Sequence, residues 1–287
     1  LSEKPEFYCV DWLRFTVGDL PTAFAFAHSI GGTKTENENA SPLPYYSDFR
    51  LYDFCRIDWH TLKPEMRVCV TMSGEHLRIY EASDKTIFGL FSKVMAIENL
   101  TITRIDLAMD IYDFPLACPR EVFLAHKNGH MSTRATTSSV LESRSEHNRP
   151  GLTVYIGSRE SPRLVRVYDK QAETKTARPW TRIEIEIKKP LAERAAFEVV
   201  KYGIIATFKL EFLEFIPHSG VSWIDERIAR DTGLLALPVG RKETDKDRWL
   251  HETVLPLILD AIRRGDMAII RPVEGALRQR AEGSHSG

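Results

Sequence analysis

The chain has 287 residues, of which 43% are hydrophobic and 28% charged, and a formal net charge of −1. That length suits one large domain or two small ones with a real core, and no stretch approaches the ~20 consecutive apolar residues of a membrane helix. Cys9, Cys55, Cys69 and Cys118 lie far apart with no CxxC pair, which argues against a zinc ribbon or a secreted disulfide scaffold and favours a reducing cytoplasm.

In chain order, FYCVDWLRFTV (7–17) is rich in aromatic and β-branched residues and reads as a strand. Residues 20–30 are expected to form a short helix with Pro21 in its first turn, and residues 31–46 a polar loop full of turn residues. MRVCVTMSG (66–74) and HLRIYEA (76–82) alternate and are expected to pair as a hairpin near Ser73-Gly74. Residues 85–100 show helical spacing at Ile87, Leu90, Phe91, Val94 and Met95. TRIDLAMD lies within a period-two run (101–113), GLTVYIGS (151–158) and RLVRVYDK (163–170) read as a second hairpin, and TRIEIEIK (181–188) as a further strand. After Trp223 the pattern turns helical, notably over 247–268, and the last residues read as a frayed tail. The fold class is α+β: an antiparallel-dominated sheet with flanking helices and a helical C-terminal part.

Three strands carry the candidate chemistry. In TRIDLAMD, Arg104, Asp106, Ala108 and Asp110 share one face, opposite Ile105, Leu107, Met109 and Ile111. In TRIEIEIK, Arg182, Glu184, Glu186 and Lys188 share a face opposite three isoleucines. If the two strands are neighbours, four carboxylates crowd together, and a hard divalent cation would relieve their repulsion. Asp106 and Asp110 are roughly 13 Å apart on a straight strand, so both ligate one ion only if the strand bends. The same patterns also fit solvated, salt-bridged strand faces. In RLVRVYDK, Tyr168 stands between Arg166 and Lys170, an arrangement suited to a phosphodiester, although a tyrosine packed at a sheet rim has the same signature. His126 and His130 (HKNGH) lack the glutamate of a zinc-protease motif, and Gly129 between them suggests a helix end. No P-loop, dinucleotide-binding or GxSxG segment is present.

The net charge hides an uneven spread: residues 1–60 carry −4 and residues 141–189 carry +4. The basic region leaves room for an anionic partner, and a solvated surface accounts for it equally simply.

TRIDLAMDIYD, TVYIGSRESPRLVRVYDK and TRIEIEIK, in that order and spacing, resemble the Rep_trans-type replication initiation factors. These are rolling-circle initiators of plasmids and filamentous phages, with related nicking enzymes of conjugative elements. DWLRFTV and VTMSG are also similar to the family, so the resemblance runs over residues 7–215. It implies a site-specific DNA endonuclease and strand transferase. Carried over residue by residue, Tyr168 is the nucleophile that forms a 5′-phosphotyrosyl link and frees a 3′-OH. Arg166 and Lys170 are the phosphate-side cations, and Asp106, Asp110, Glu184 and Glu186 the acidic group for Mg²⁺ or Mn²⁺. The histidine pair of the better-known nickases is missing, so metal binding is expected to rest on carboxylates.

The expected partner is origin DNA, as an extruded hairpin or a supercoiled origin with a single-stranded nick site. A host helicase and a second copy of this chain are the further partners the resemblance allows, and the expected location is the bacterial cytoplasm, away from membranes. The expected division is a catalytic domain over 5–220, a helical part over 221–270 and a tail over 271–287. Specificity is expected from loops, including 126–150. Three alternatives stay open: a relaxase acting at a transfer origin, a metal-only nuclease in which Asp106, Asp110 and Glu184 activate water, and a non-catalytic DNA-binding regulator.

Overall fold

The computed structural model describes residues 6–35, 41–63, 65–112, 118–144, 150–174 and 178–229. β1 (Glu6–Val17) is followed by α1 (Leu20–Ser29), then β2 (Asp48–Leu51), β3 (Arg56–Trp59) and β4 (Val68–Ser73). Two helices, α2 (Gly74–Ala82) and α3 (Ile87–Met95), lead to β5 (Thr101–Tyr112). Then come α4 (Cys118–Lys127), β6 (Ser138–Arg144), β7 (Pro150–Ile156), β8 (Arg163–Asp169), the one-turn helix α5 (Lys170–Thr174) and β9 (Trp180–Lys188). The long α6 (Leu191–Phe215) and α7 (Ser222–Ala229) complete the described elements.

The nine strands form one sheet in the order β2-β3-β4-β1-β5-β9-β8-β7-β6, and every neighbouring pair is antiparallel. Alternation gives the sheet two unlike faces. Leu13, Phe15, Ile105, Leu107, Met109, Ile183, Ile185, Ile187, Val165 and Val167 are all buried in one apolar cluster. α1, α3, α4 and α6 supply its other half through residues such as Ala27, Leu90, Phe91, Val122, Phe208 and Phe212. The opposite face is polar, and it carries the candidate site. The α+β expectation is met, and β5 and β9 are indeed neighbours.

Several local expectations need correction. HLRIYEA is not a strand but α2. Ser73 ends β4 and caps the helix, its hydroxyl accepting from the His76 N–H while His76 Nδ1 accepts from the Ser73 N–H. Leu77 and Tyr80, three apart, bury one side of α2. β8 ends at Asp169, so Lys170 begins α5 instead of continuing the face of Tyr168. Within the presumed 126–150 loop, residues 138–144 form the edge strand β6, paired to β7.

Among the described residues the longest helix is α6, which the spacing of its apolar residues does not predict. Its apolar residues lie all round the axis, and Gly203 breaks it at φ +83, which hides a 3.6-residue period. The helical segment expected at 247–268 lies outside the described residues. Among the described residues no helix is long and apolar enough to cross a membrane. Cys9, Cys55 and Cys69 are buried free thiols.

Candidate active site

The polar face over β5, β9 and β8 is ruled by cross-strand register. Asp110 stands opposite Arg182, which stands opposite Tyr168; Ala108 stands opposite Glu184, which stands opposite Arg166; Asp106 stands opposite Glu186. Asp106, Asp110, Glu184 and Glu186 are only 1%, 1%, 3% and 6% exposed. These are salt-bridged faces, as one reading of the sequence expected, but they are not solvated. Buried carboxylates of this kind require cations, protons or both.

Arginines supply most of the compensation. Arg104 grips Asp106 with Nε–Oδ1 2.8 Å and Nη2–Oδ2 2.5 Å, and also reaches Glu186 at 2.9 Å. Arg166 extends from β8 across β9, touching Glu184, Asp106 Oδ2 (3.1 Å) and Glu186 (3.6 Å). Lys188 holds the other oxygen of Glu186 at 2.7 Å.

Asp110 belongs to a separate constellation. Both its oxygens receive Arg182, through Nε and Nη2 at 2.7 Å each, and Oδ1 also receives Trp180 Nε1 at 2.7 Å. Arg182 further pairs with Asp11 at 2.6 Å. Asp11 sits at a shift of register between Val10 and Trp12, a bulge in β1 that brings its carboxylate onto this face. The structure thus groups Asp106, Glu184 and Glu186 around Arg166 and sets Asp110 apart with Arg182.

Tyr168 donates its phenolic O–H to Glu184 Oε2 at 3.1 Å. It borders a pocket of about 310 Å³ together with Thr153, Tyr155, Arg166, Ala172 and Glu173. Lys170 Nζ lies 5.5 Å from the Tyr168 ring centroid and pairs with Glu173 at 2.8 Å. The predicted nucleophile and both predicted cations therefore share one neighbourhood, although Lys170 arrives from a helix turn.

Titration in this group follows from crowding. Burial pushes Glu184 up to about 8, against the pull of Arg166 and with the help of Asp106. Burial also raises Asp106 despite Arg104, and the two carboxyls hydrogen-bond each other. Glu186 moves down, because Lys188 and Arg104 outweigh its burial. Tyr168 is driven well above the ordinary phenol range by burial and then by the Glu184 charge.

The donor set fits a divalent cation in part. Burial favours a proton on the Asp106–Glu184 pair, and a hard cation suits the same oxygens. The oxygens of Asp110 are already taken. Among the described residues no group of three or more His, Cys, Asp or Glu side chains is arranged to hold a metal ion. His126 and His130 do not form such a site: His126 bonds Ser138 at 2.8 Å, and α4 ends at Lys127 ahead of Gly129 at φ +74.

Sequence reasoning missed the roles of Asp11 and Trp180. The one available signal was in FYCVDWLRFTV, where adjacent Asp11 and Trp12 interrupt the alternation and announce the bulge.

The fold defined by this sheet is shared with a solved structure described as a rolling circle replication initiator protein from Geobacillus stearothermophilus. The likeness has a TM-score of 0.59 at 18% identity and covers 91% of this chain and 97% of that one. The family described as replication initiation factor matches residues 100–215, from the start of β5 to the end of α6. The resemblance read from the sequence is borne out over that segment, which holds Tyr168 and all four acidic candidates; DWLRFTV and VTMSG lie outside it. Among curated proteins none matches the chain.

Two outcomes test this description. Glu184 has its carboxyl raised from an ordinary 4.5 to about 8 in the folded chain, so its protonated form stabilises the fold below about pH 4.5 and that contribution drains away as pH rises through 8. In chelator, the wild type should therefore lose thermal stability between pH 5 and pH 8.5 (both pH values approximate) more steeply than Glu184→Gln; parallel curves would contradict the shift. Asp110→Asn should cost roughly 3 kcal/mol in denaturant unfolding, because it leaves the buried Arg182 under-compensated. A change below about 0.5 kcal/mol would show that Asp110 is not the partner that holds Arg182.

Proposed function

We propose that the chain is a rolling-circle replication initiator that nicks one DNA strand with Tyr168 and rejoins it. The observation that carries this reading is Tyr168 itself: a phenol at the wall of an open pocket, hydrogen-bonded to a buried carboxyl and flanked by Arg166 and Lys170. The family match over residues 100–215 and the shared fold support it.

In the proposed reaction the Tyr168 oxygen attacks the scissile phosphorus, the P–O3′ bond breaks, and the 3′ oxygen leaves and takes up a proton. The products are a 5′-phosphotyrosyl link and a free 3′-OH that primes synthesis. Because the phosphodiester energy is kept in the tyrosyl ester, reversal by a 3′-OH needs no ATP, which agrees with the missing P-loop. Arg166 and Lys170 hold the phosphate oxygens, and Arg166 also fixes Glu184 and Asp106. Glu184 Oε2 is the nearest acceptor for the phenolic proton, which it takes in its ionised form.

In the free protein the phenol is poorly ionised, because burial and then the Glu184 charge hold its proton. Asp106 and Glu184 would hold Mg²⁺ or Mn²⁺, with Glu186 beside them. When bound, that ion supplies positive charge to polarise the phosphate. Origin DNA with an unpaired nick site is the substrate that this chemistry takes.

Tyr168→Phe on an origin-bearing supercoiled plasmid tests the assignment. The variant removes one oxygen and keeps the ring, so its stability should fall by only about 1 kcal/mol. Nicking and rejoining should vanish while DNA binding survives, and excess chelator should stop nicking by the wild type. Normal nicking by Tyr168→Phe would transfer the reading to a nuclease in which water is the nucleophile.

A further inference from the structure

The polar face carries a second feature, away from Tyr168. Arg56 on β3 stands opposite Thr71 on β4, Thr71 opposite Arg14 on β1, Arg14 opposite Arg104 on β5, and Arg104 opposite Lys188 on β9. Four cations and a hydroxyl therefore line up across five strands, perpendicular to them. At about 4.8 Å per strand the row is roughly 19 Å long. All five side chains are on the polar face, and the four cations are half-buried with access to solvent.

Charge is unevenly matched along the row. Arg56 has Asp58 at 2.9 Å, Arg104 has Asp106 and Glu186, and Lys188 has Glu186. Among the described residues no carboxylate lies within ion-pair distance of Arg14, whose guanidinium donates only to Thr71 Oγ1 at 3.2 Å. Burial, opposed by little except Cys69 and Asp58 and aggravated by Arg104 and Arg56, makes its charge less favourable. Trp12 stands beside it. The Arg14 and Arg104 guanidinium carbons lie 5.3 and 4.9 Å from its ring centroid, and its buried indole N–H has no acceptor among the described residues. A row of cations in which Arg14 is short of an anion, together with an unused donor, describes a surface shaped for phosphate.

We infer that the row Arg56–Thr71–Arg14–Arg104–Lys188, with Trp12, is a track for the sugar–phosphate backbone of an unpaired DNA strand running across the sheet. This inference rests on the DNA-nicking reading and deepens it, since it says where the strand goes after it leaves Tyr168. Along β5, Arg104 is six residues from Asp110, whose row holds Tyr168. The track thus lies about 20 Å along the strand direction from the nucleophile. Its far end, Arg14 on β1 and Arg56 on β3, meets the DNA outside the scissile phosphate on strands that the family match does not include, and its near end, Arg104, touches Asp106. Arg14 is its key residue, because Arg14 alone in the row has no carboxylate to satisfy it.

Fluorescence anisotropy with a labelled single-stranded oligonucleotide, at a series of salt concentrations, tests the track. Arg14→Gln should make the slope of log K against log salt shallower by about 0.7, the value for one phosphate contact on single-stranded DNA. If the two proteins bind alike at 1 M salt, that is about fivefold weaker binding at 0.1 M. Arg14→Lys should restore most of the slope, and Arg56→Gln should give a smaller loss; Arg56→Gln decides the matter if Arg14→Gln does not fold, as judged by its thermal transition. Unchanged slopes in Arg14→Gln and Arg56→Gln, or a loss seen with duplex and not with single strands, would overturn the inference. Covalent capture by Tyr168 is scored separately: a lost slope without any adduct keeps the track and removes the nicking reading, and an adduct with unchanged slopes does the reverse.

Discussion

A carboxylate buried in a sheet persists only beside a cation or with a proton, and Asp106, Glu184 and Glu186 are three such groups on adjacent strands. Arg166 reaches all three from β8, so it ties β8 and β9 to β5 at the position where Tyr168 stands. The rest of the site depends on that tie. Without Arg166 the carboxylates would repel, and Glu184 would lose the orientation in which it accepts from Tyr168. Arg182 repeats the device one row away, joining Asp110 and Asp11 across β9, β5 and β1. Two arginines thus make a rigid polar layer out of side chains that would otherwise destabilise the sheet.

That layer is a suitable floor for phosphodiester chemistry. Its charges are held by partners on neighbouring strands, which lowers the reorganisation needed when a phosphate arrives. Burial raises the carboxyls of Asp106 and Glu184 even with Arg104 and Arg166 beside them. Buried carboxyls of this kind respond to an added cation or to an added phosphate, because either changes which protonation state is preferred. Tyr168, half-buried beside this pair, has its phenol held protonated by burial and then by the Glu184 charge.

The part of the fold around β5 and β9 was legible because its strands alternate strictly: TRIDLAMD and TRIEIEIK place isoleucine, leucine or methionine on one side and mostly charge on the other, so face and neighbourhood follow from period two. HLRIYEA alternates as well, yet Ser73 supplies a cap and Leu77 and Tyr80 bury at helical spacing, so local capping overrode the pattern. α6 was hidden by apolar residues all round its axis and by the break at Gly203. The short hairpin of β2 and β3, four residues per strand, gave no pattern long enough to read. Within the site, residue types foretold which side chains meet, but not how charge is shared. That Asp110 belongs to Arg182 and Trp180 follows from cross-strand register, which no single strand contains.

The central claim is that Tyr168 becomes covalently joined to the 5′ side of a cut strand. The most direct measurement is mass spectrometry of the peptides left on the DNA after the wild-type protein, a single-stranded origin oligonucleotide and Mg²⁺ have reacted and been digested with protease. The account predicts a 5′ end blocked by a peptide containing Tyr168, with a free 3′-OH on the other fragment. A free 5′-phosphate with no attached peptide, or an adduct on another residue, would contradict it.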